Sequence, residues 1–133
     1  MTVKSIAHAA YRCRDMEKSL RFYCDVLGLR KVFDIKNDEG QPHINYLKVA
    51  DGQFIELFYT KPDETPQNAS YAHLCLEVFD IYKACGEIKN AGWPVDVEPQ
   101  RGKDKNIQAW VTDPDGNKIE LMQISPESPQ ANS

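Results

Sequence analysis

Histidine is scarce in this chain: His8, His43 and His73 are the only three in 133 residues. Cysteine is scarcely commoner, and Cys13, Cys24, Cys75 and Cys85 form no C-x-x-C pair. An even count permits disulfides, but no secretory signal follows Met1, so reduced thiols and a cytoplasmic location are expected. Cys13, Cys75 and Cys85 alternate with apolar neighbours and read as small buried hydrophobes. Basic residues are outnumbered, 16 against 20 acidic, and they are scattered rather than clustered. A nucleic-acid footprint needs a basic patch, so that partner class is not expected. No apolar run approaches the ~20 residues that span a bilayer, so no membrane is expected either.

The composition is that of an ordinary globular domain, with 41% hydrophobic residues. A chain of this length hides roughly two-thirds of its surface on folding, enough for a real core. It also repeats itself. Shifting by 65 positions sets Ala7-His8 on Ala72-His73, Asp15 on Asp80 and Lys18 on Lys83. At a shift of 64, Gly28 falls on Gly92, and Asp51-Gly52-Gln53-Phe54-Ile55-Glu56-Leu57 falls on Asp115-Gly116-Asn117-Lys118-Ile119-Glu120-Leu121. Five of those seven positions are identical. The reading is one domain over 1–124 made of two modules, about 3–60 and 70–124. The joint at 61–69 holds two prolines and no apolar periodicity, and 125–133 reads as a flexible tail.

The same elements are expected in each copy. Residues 5–12 and 71–78 are short apolar strands, followed by helices capped by Asp15 and Asp80 and closed by Gly28 and Gly92. Three strands then follow in each copy, at 31–36, 44–50 and 53–60, and at 94–98, 107–112 and 118–124. Asp113-Pro114-Asp115-Gly116 reads as the last hairpin turn. The fold class is therefore α+β, two tandem β-α-β-β-β modules.

The repeat superposes two of the three histidines and one glutamate of each copy. His8 and Glu56 are 48 residues apart, and His73 and Glu120 are 47 apart. Each glutamate stands among apolar residues, where an unpaired charge costs several kcal/mol. Two imidazoles and two carboxylates make a plausible first shell for one divalent first-row ion. His43 beside Pro42 has no counterpart in the second copy and reads as a surface-loop residue.

Ile6-Ala7-His8, Asp15 to Tyr23, Val26-Leu27-Gly28-Leu29, Ile55-Glu56-Leu57, Ala72-His73-Leu74 and Asp113 to Leu121 form one set of motifs. Together they resemble the vicinal oxygen chelate superfamily (the glyoxalase/bleomycin resistance/dioxygenase fold). Within it the chain is most similar to glyoxalase I (lactoylglutathione lyase), over residues 3 to 124. The resemblance implies a curved mixed sheet around one metal, and a homodimer. It implies His8, Glu56, His73 and Glu120 as ligands of nickel, cobalt or zinc, with manganese or iron as further choices. Dioxygenases and fosfomycin-resistance transferases of this kind use two His and one Glu, whereas all four ligand positions are filled here.

The implied substrate is the hemithioacetal of methylglyoxal and a thiol such as glutathione, isomerised to the lactoyl thioester. Glu120 carries the proton through an enediolate, with Glu56 serving the opposite face. Arg12 stands where the family contacts the glutathione glutamyl carboxylate. Thr60 stands where an Asn is common, a departure that leaves another thiol or a CoA-like substrate open. The alternatives are a methylmalonyl-CoA epimerase-like isomerase and a non-catalytic protein that binds small molecules or drugs.

Overall fold

The computed structural model describes residues 6–60, 71 and 73–133, so the joint expected at 61–69 lies outside the described residues. The chain divides into two compact units, Met1–Gln67 and Asn68–Ser133. The first contains β1 (His8–Cys13), α1 (Met16–Leu20), a wider π-helical turn over Arg21–Val26, β2 (Arg30–Lys36), β3 (Pro42–Ala50) and β4 (Gln53–Tyr59). The second contains β5 (Leu74–Glu77), α2 (Ile81–Asn90), β6 (Val97–Arg101), β7 (Ile107–Thr112) and β8 (Lys118–Gln123).

Each unit holds one four-stranded mixed sheet, ordered β1-β4-β3-β2 and β5-β8-β7-β6. β1 runs parallel to β4 and β5 parallel to β8, while the other pairs are antiparallel. A parallel partner requires a crossover, and the helix with two intervening strands provides it. The α+β class follows.

Strand alternation places the core. Ile55 and Leu57 of β4 are buried with Phe22, Tyr23 and Val26 of the first helix, and Tyr11 of β1 stacks on Tyr23 with ring centroids 6.2 Å apart. Ile119 and Leu121 of β8 are buried with Ile81, Cys85 and Ile88 of α2. One face of each sheet is thus sealed by its helix, and the intervening residues of the central strand, Glu56 and Glu120, point the other way. A buried Leu or Ile contributes roughly 1.5–3 kcal/mol, so a register slip that exchanged the two faces would be prohibitive.

The helix ends behave as expected. The Asp15 carboxylate accepts from Lys18 N–H at 3.1 Å, and the Asp80 carboxylate accepts from Tyr82 and Lys83 N–H, each at 3.1 Å. Gly28 and Gly92 close the helices at φ +80° and +82°, where a side chain would be strained. Replacing Asp80 by Ala leaves two amides without their acceptor, and urea unfolding is expected to show a loss of about 1 kcal/mol.

Four local expectations are corrected. β5 is shorter than 71–78 because the Tyr71 hydroxyl replaces backbone pairing, accepting from Leu74 N–H (3.0 Å) and donating to the Lys118 carbonyl (2.8 Å). β6 starts at Val97, three residues after Pro94, which lacks the N–H a ladder needs. His43 lies in β3 rather than in a loop, exposed, with its ring edge-to-face on Phe58 at 5.4 Å.

The fourth concerns residues 125–133, which fold back as turns rather than a free tail. Their anchor is the fully buried Asn106: its Oδ1 accepts from Ser125 N–H at 2.8 Å, and its Nδ2 donates to Gln130 Oε1 at 3.1 Å. Ser128 is fully buried in the same corner.

Candidate active site

The face of each sheet turned away from its helix carries the chemistry. In the first unit His8 stands opposite Phe54 in the parallel ladder, two residues along from the position facing Glu56. Its Nε2 lies 2.6 Å from Glu56 Oε2. In the second unit His73 directly precedes β5, and its Nε2 lies 3.5 Å from Glu120 Oε1. Glu56 and Glu120 are only 6% and 7% exposed, whereas the imidazole side chains are 47% and 40% exposed. Each unit therefore sinks a carboxylate into its sheet and leans an open imidazole over it.

The donor set suits a divalent metal. Imidazole nitrogen and carboxylate oxygen are ligands of the first-row ions, and a buried carboxylate gains most from a nearby cation. Two ligand atoms ~2.1 Å from one ion lie ~3.0 Å apart at a right angle and ~3.4 Å apart at the tetrahedral angle. The His73–Glu120 separation already meets that span, and the His8–Glu56 contact would open by ~0.4 Å. Among the described residues no three His, Cys, Asp or Glu side chains gather at one point. The structure brings His8 to Glu56 and His73 to Glu120, so each unit supplies two of the four donors expected from the sequence.

Three neighbours of these carboxylates were not singled out from the sequence. Tyr46 of β3 faces Glu56 across the antiparallel ladder. The nearby Glu56 carboxylate, as an acceptor for its hydroxyl, and then desolvation raise the Tyr46 pKa above its usual value. In the second unit Trp110 of β7 faces Glu120, and its ring meets His73 edge-to-face at 4.9 Å. Cys75 of β5 faces Glu120 from the other side. Desolvation first, then a hydrogen bond to Glu120 and its negative charge, push the Cys75 thiol up to about 12. Cys75 itself is solvent-accessible, not the buried hydrophobe its neighbours suggest. The signal that finds all three is cross-strand register, which the repeat fixes only once the strand pairing is known.

Arg12 lies on the same face of β1 as His8 and is exposed. The Thr60 hydroxyl is engaged with the backbone, donating to the Cys13 carbonyl at 2.8 Å. It ties the end of β4 to the end of β1, next to Arg12. A pocket of about 450 Å³ opens in the second unit, lined by Asp96, Val97, Trp110, Thr112 and Lys118. Trp110, Thr112 and Lys118 share the sheet face of Glu120, because Trp110 pairs with Glu120 and Thr112 with Lys118. The turn before β8 holds this register: the Asp113 carboxylate accepts from Asp115 N–H (2.9 Å) and Asn117 N–H (2.8 Å).

A family model described as the Glyoxalase/Bleomycin resistance protein/Dioxygenase superfamily matches residues 5–121. The chain is similar to a lactoylglutathione lyase of Haemophilus influenzae, 35% identical over 124 residues covering 89% of this chain and 91% of that one. It is similar to a probable lactoylglutathione lyase of a Synechocystis species, 35% identical over 125 residues covering 90% and 95%. Among solved structures, a glyoxalase I of Zea mays superposes with a TM-score of 0.80 at 23% identity, over 90% of this chain and 45% of that one. That last likeness is one of fold.

Proposed function

The chain belongs to the Glyoxalase/Bleomycin resistance protein/Dioxygenase superfamily, and from that premise we propose that it is a metal-dependent lyase of the lactoylglutathione lyase type. The observation that carries the reading is the duplicated pair: a buried Glu under an open His, once in each unit. Curated relatives named lactoylglutathione lyase over nine-tenths of the chain support it.

The substrate is the hemithioacetal of methylglyoxal and a thiol, and the product is the isomeric lactoyl thioester. His8, Glu56, His73 and Glu120 would hold one divalent ion: nickel, cobalt or zinc, with manganese or iron also suited. When bound, such an ion would supply positive charge to offset the negative charge that develops as the carbon loses its proton. Glu120 accepts the proton from the carbon bearing sulfur and returns it to the neighbouring carbon, so atoms balance and no oxidant is consumed. Glu56 serves the opposite face. The indole of Trp110 provides an apolar wall beside Glu120, and a pocket lined by that indole opens next to it. Arg12 is free to take a carboxylate of the thiol, and Thr60 holds the strand end that carries it. The protein acts as a homodimer in the cytoplasm. Among the described residues no helix is long and apolar enough to cross a membrane.

One observation favours a second reading. The Thr60 hydroxyl is occupied by Cys13, so no side chain there reaches for glutathione, and a CoA thioester could take its place in an epimerase reaction. The test offers metal-loaded protein three mixtures: methylglyoxal with glutathione, methylglyoxal with coenzyme A, and methylmalonyl-CoA. Thioester absorbance should rise with the first. Exchange of the α-proton only with methylmalonyl-CoA would replace the lyase by an epimerase. Tight binding without turnover of any of them would make it a binding protein.

A further inference from the structure

The pocket beside Glu120 is larger than methylglyoxal requires, and its walls carry charges of both signs. It measures about 450 Å³ and is lined by Asp96, Val97, Trp110, Thr112 and Lys118. A methyl group is close in size to a water molecule, whose share of liquid volume is about 30 Å³, so it fills only a small part. Asp96 is held from two directions. Its N–H donates to the Trp110 carbonyl at 2.8 Å, and its Oδ2 accepts from the Thr112 hydroxyl at 2.7 Å. Thr112 is itself tied down, its carbonyl accepting from the Trp93 indole at 3.0 Å. Among the described residues, no donor meets the other carboxylate oxygen of Asp96, and no carboxylate pairs with the Lys118 ammonium. Asp96 and Lys118 thus share one pocket without closing on each other. Lys118 lies two residues before Glu120 on β8, on the same face and about 6.8 Å along the strand. A short carbon chain attached to the reacting carbons covers that interval.

An acceptor and a donor held apart beside an indole discriminate between classes of ligand. An anion meets Asp96 and a cation meets Lys118, while an apolar group buries both charges without partners. A neutral hydroxylated chain satisfies both, since each hydroxyl can donate to the carboxylate or accept from the ammonium. We propose that this pocket takes a neutral polyhydroxylated chain of the thiol adduct. Asp96 and Lys118 set that specificity, and Thr112 positions Asp96. The proposal rests on the lyase reading above and extends its substrates to adducts of sugar-derived compounds. The hydroxyls enter on either component, as a sugar-derived 2-oxoaldehyde or as a sugar thiol.

The experiment measures kcat/KM of the metal-loaded wild type, D96N and K118M. Glutathione is offered with methylglyoxal, with xylosone (a pentose-derived 2-oxoaldehyde) and with phenylglyoxal, and 1-thioglucose is offered with methylglyoxal. In D96N the Thr112 hydroxyl, a donor, takes the amide carbonyl, so an N–H group replaces the acceptor in the pocket at unchanged volume. Selectivity is each kcat/KM divided by that for glutathione with methylglyoxal. For a hydroxylated adduct it should fall about tenfold in both variants, whereas for phenylglyoxal it should rise in K118M. Ring closure of the free sugar is the same for every protein and cancels between variants. A fall confined to xylosone places the chain on the aldehyde, and one confined to 1-thioglucose places it on the thiol; each supports the proposal. Selectivities that neither variant moves overturn it, and so does a fall in K118M paired with a rise in D96N, which marks an anion site. Should the wild type turn over none of the mixtures, the lyase reading fails by itself. The Kd values of the same mixtures, titrated calorimetrically into the three proteins, then decide the pocket by the same ratios.

Discussion

Replacing Glu120 by Gln should lower turnover by about 10²- to 10⁴-fold, because the amide keeps the size of the side chain but cannot accept the proton. The site makes this substitution informative. Glu120 is buried, and Gln at this position retains a carbonyl that can accept from Cys75 and face His73, so the fold is expected to survive. Loss of kcat with KM little changed would mark an interaction made in the transition state. Turnover within twofold of the wild type would remove Glu120 from the reaction. The matching E56Q variant should lose activity through metal affinity instead. Mixing the two inactive variants then reads the assembly. If each site takes one pair from each of two chains, a random mixture of dimers regains about a quarter of wild-type activity, since half the dimers hold one intact site of two. If each site lies within one chain, nothing returns.

Stripping the protein with a chelator should abolish turnover and lower its unfolding temperature. A ligand bound only to the folded state at 1,000 times its Kd stabilises by about 4 kcal/mol, and that stabilisation is lost with the ion. The sequestered carboxylates make the direction clear: Glu56 and Glu120 are each sunk in a sheet with a neutral imidazole or imidazolium as their nearest partner, and a divalent charge relieves both. Returning nickel, cobalt, zinc or manganese one at a time should restore thioester formation to different degrees, with affinity rising toward nickel as the intrinsic order of the ions dictates. Elemental analysis and the thermal midpoint follow the same samples. Full turnover by protein shown to be metal-free would sink the metal-dependent mechanism.

Much of this could be read from the sequence, because duplication writes the constraint twice. The D-G-x-x-I-E-L segment carries its own logic: Asp-Gly makes the turn, Ile and Leu face the helix, and the Glu between them has to face away. His8 and Glu56 are far apart along the chain, yet β1 and β4 are direct neighbours, so the pairing follows as soon as the first and last strands of a module are joined. Comparing the copies also has a blind side. It brings out residues that recur, and Tyr46, Cys75 and Trp110 do not recur; their counterparts are Trp110, Ala10 and Tyr46. They became visible only through register. Residues 125–133 misled for a related reason. Their polar composition reads as solvated, but a single buried amide, Asn106, supplies enough hydrogen bonds to hold them.

The π-helical turn of the first unit has a consequence for how such sites are recognised. Gly28 stands 13 residues after Asp15, and Gly92 only 12 after Asp80. The extra residue is taken up where the Leu27 N–H reaches back five positions, to the Phe22 carbonyl at 3.0 Å. The one-residue difference between the ligand spacings, 48 and 47, has the same origin. A helix with a single wide turn thus serves as an expansion joint: it absorbs an insertion before it can reach the sheet, and both glycines, both turns and both glutamates keep their places. A search that demands a fixed count between the ligands would reject one half of this protein, although the two halves are built on the same plan.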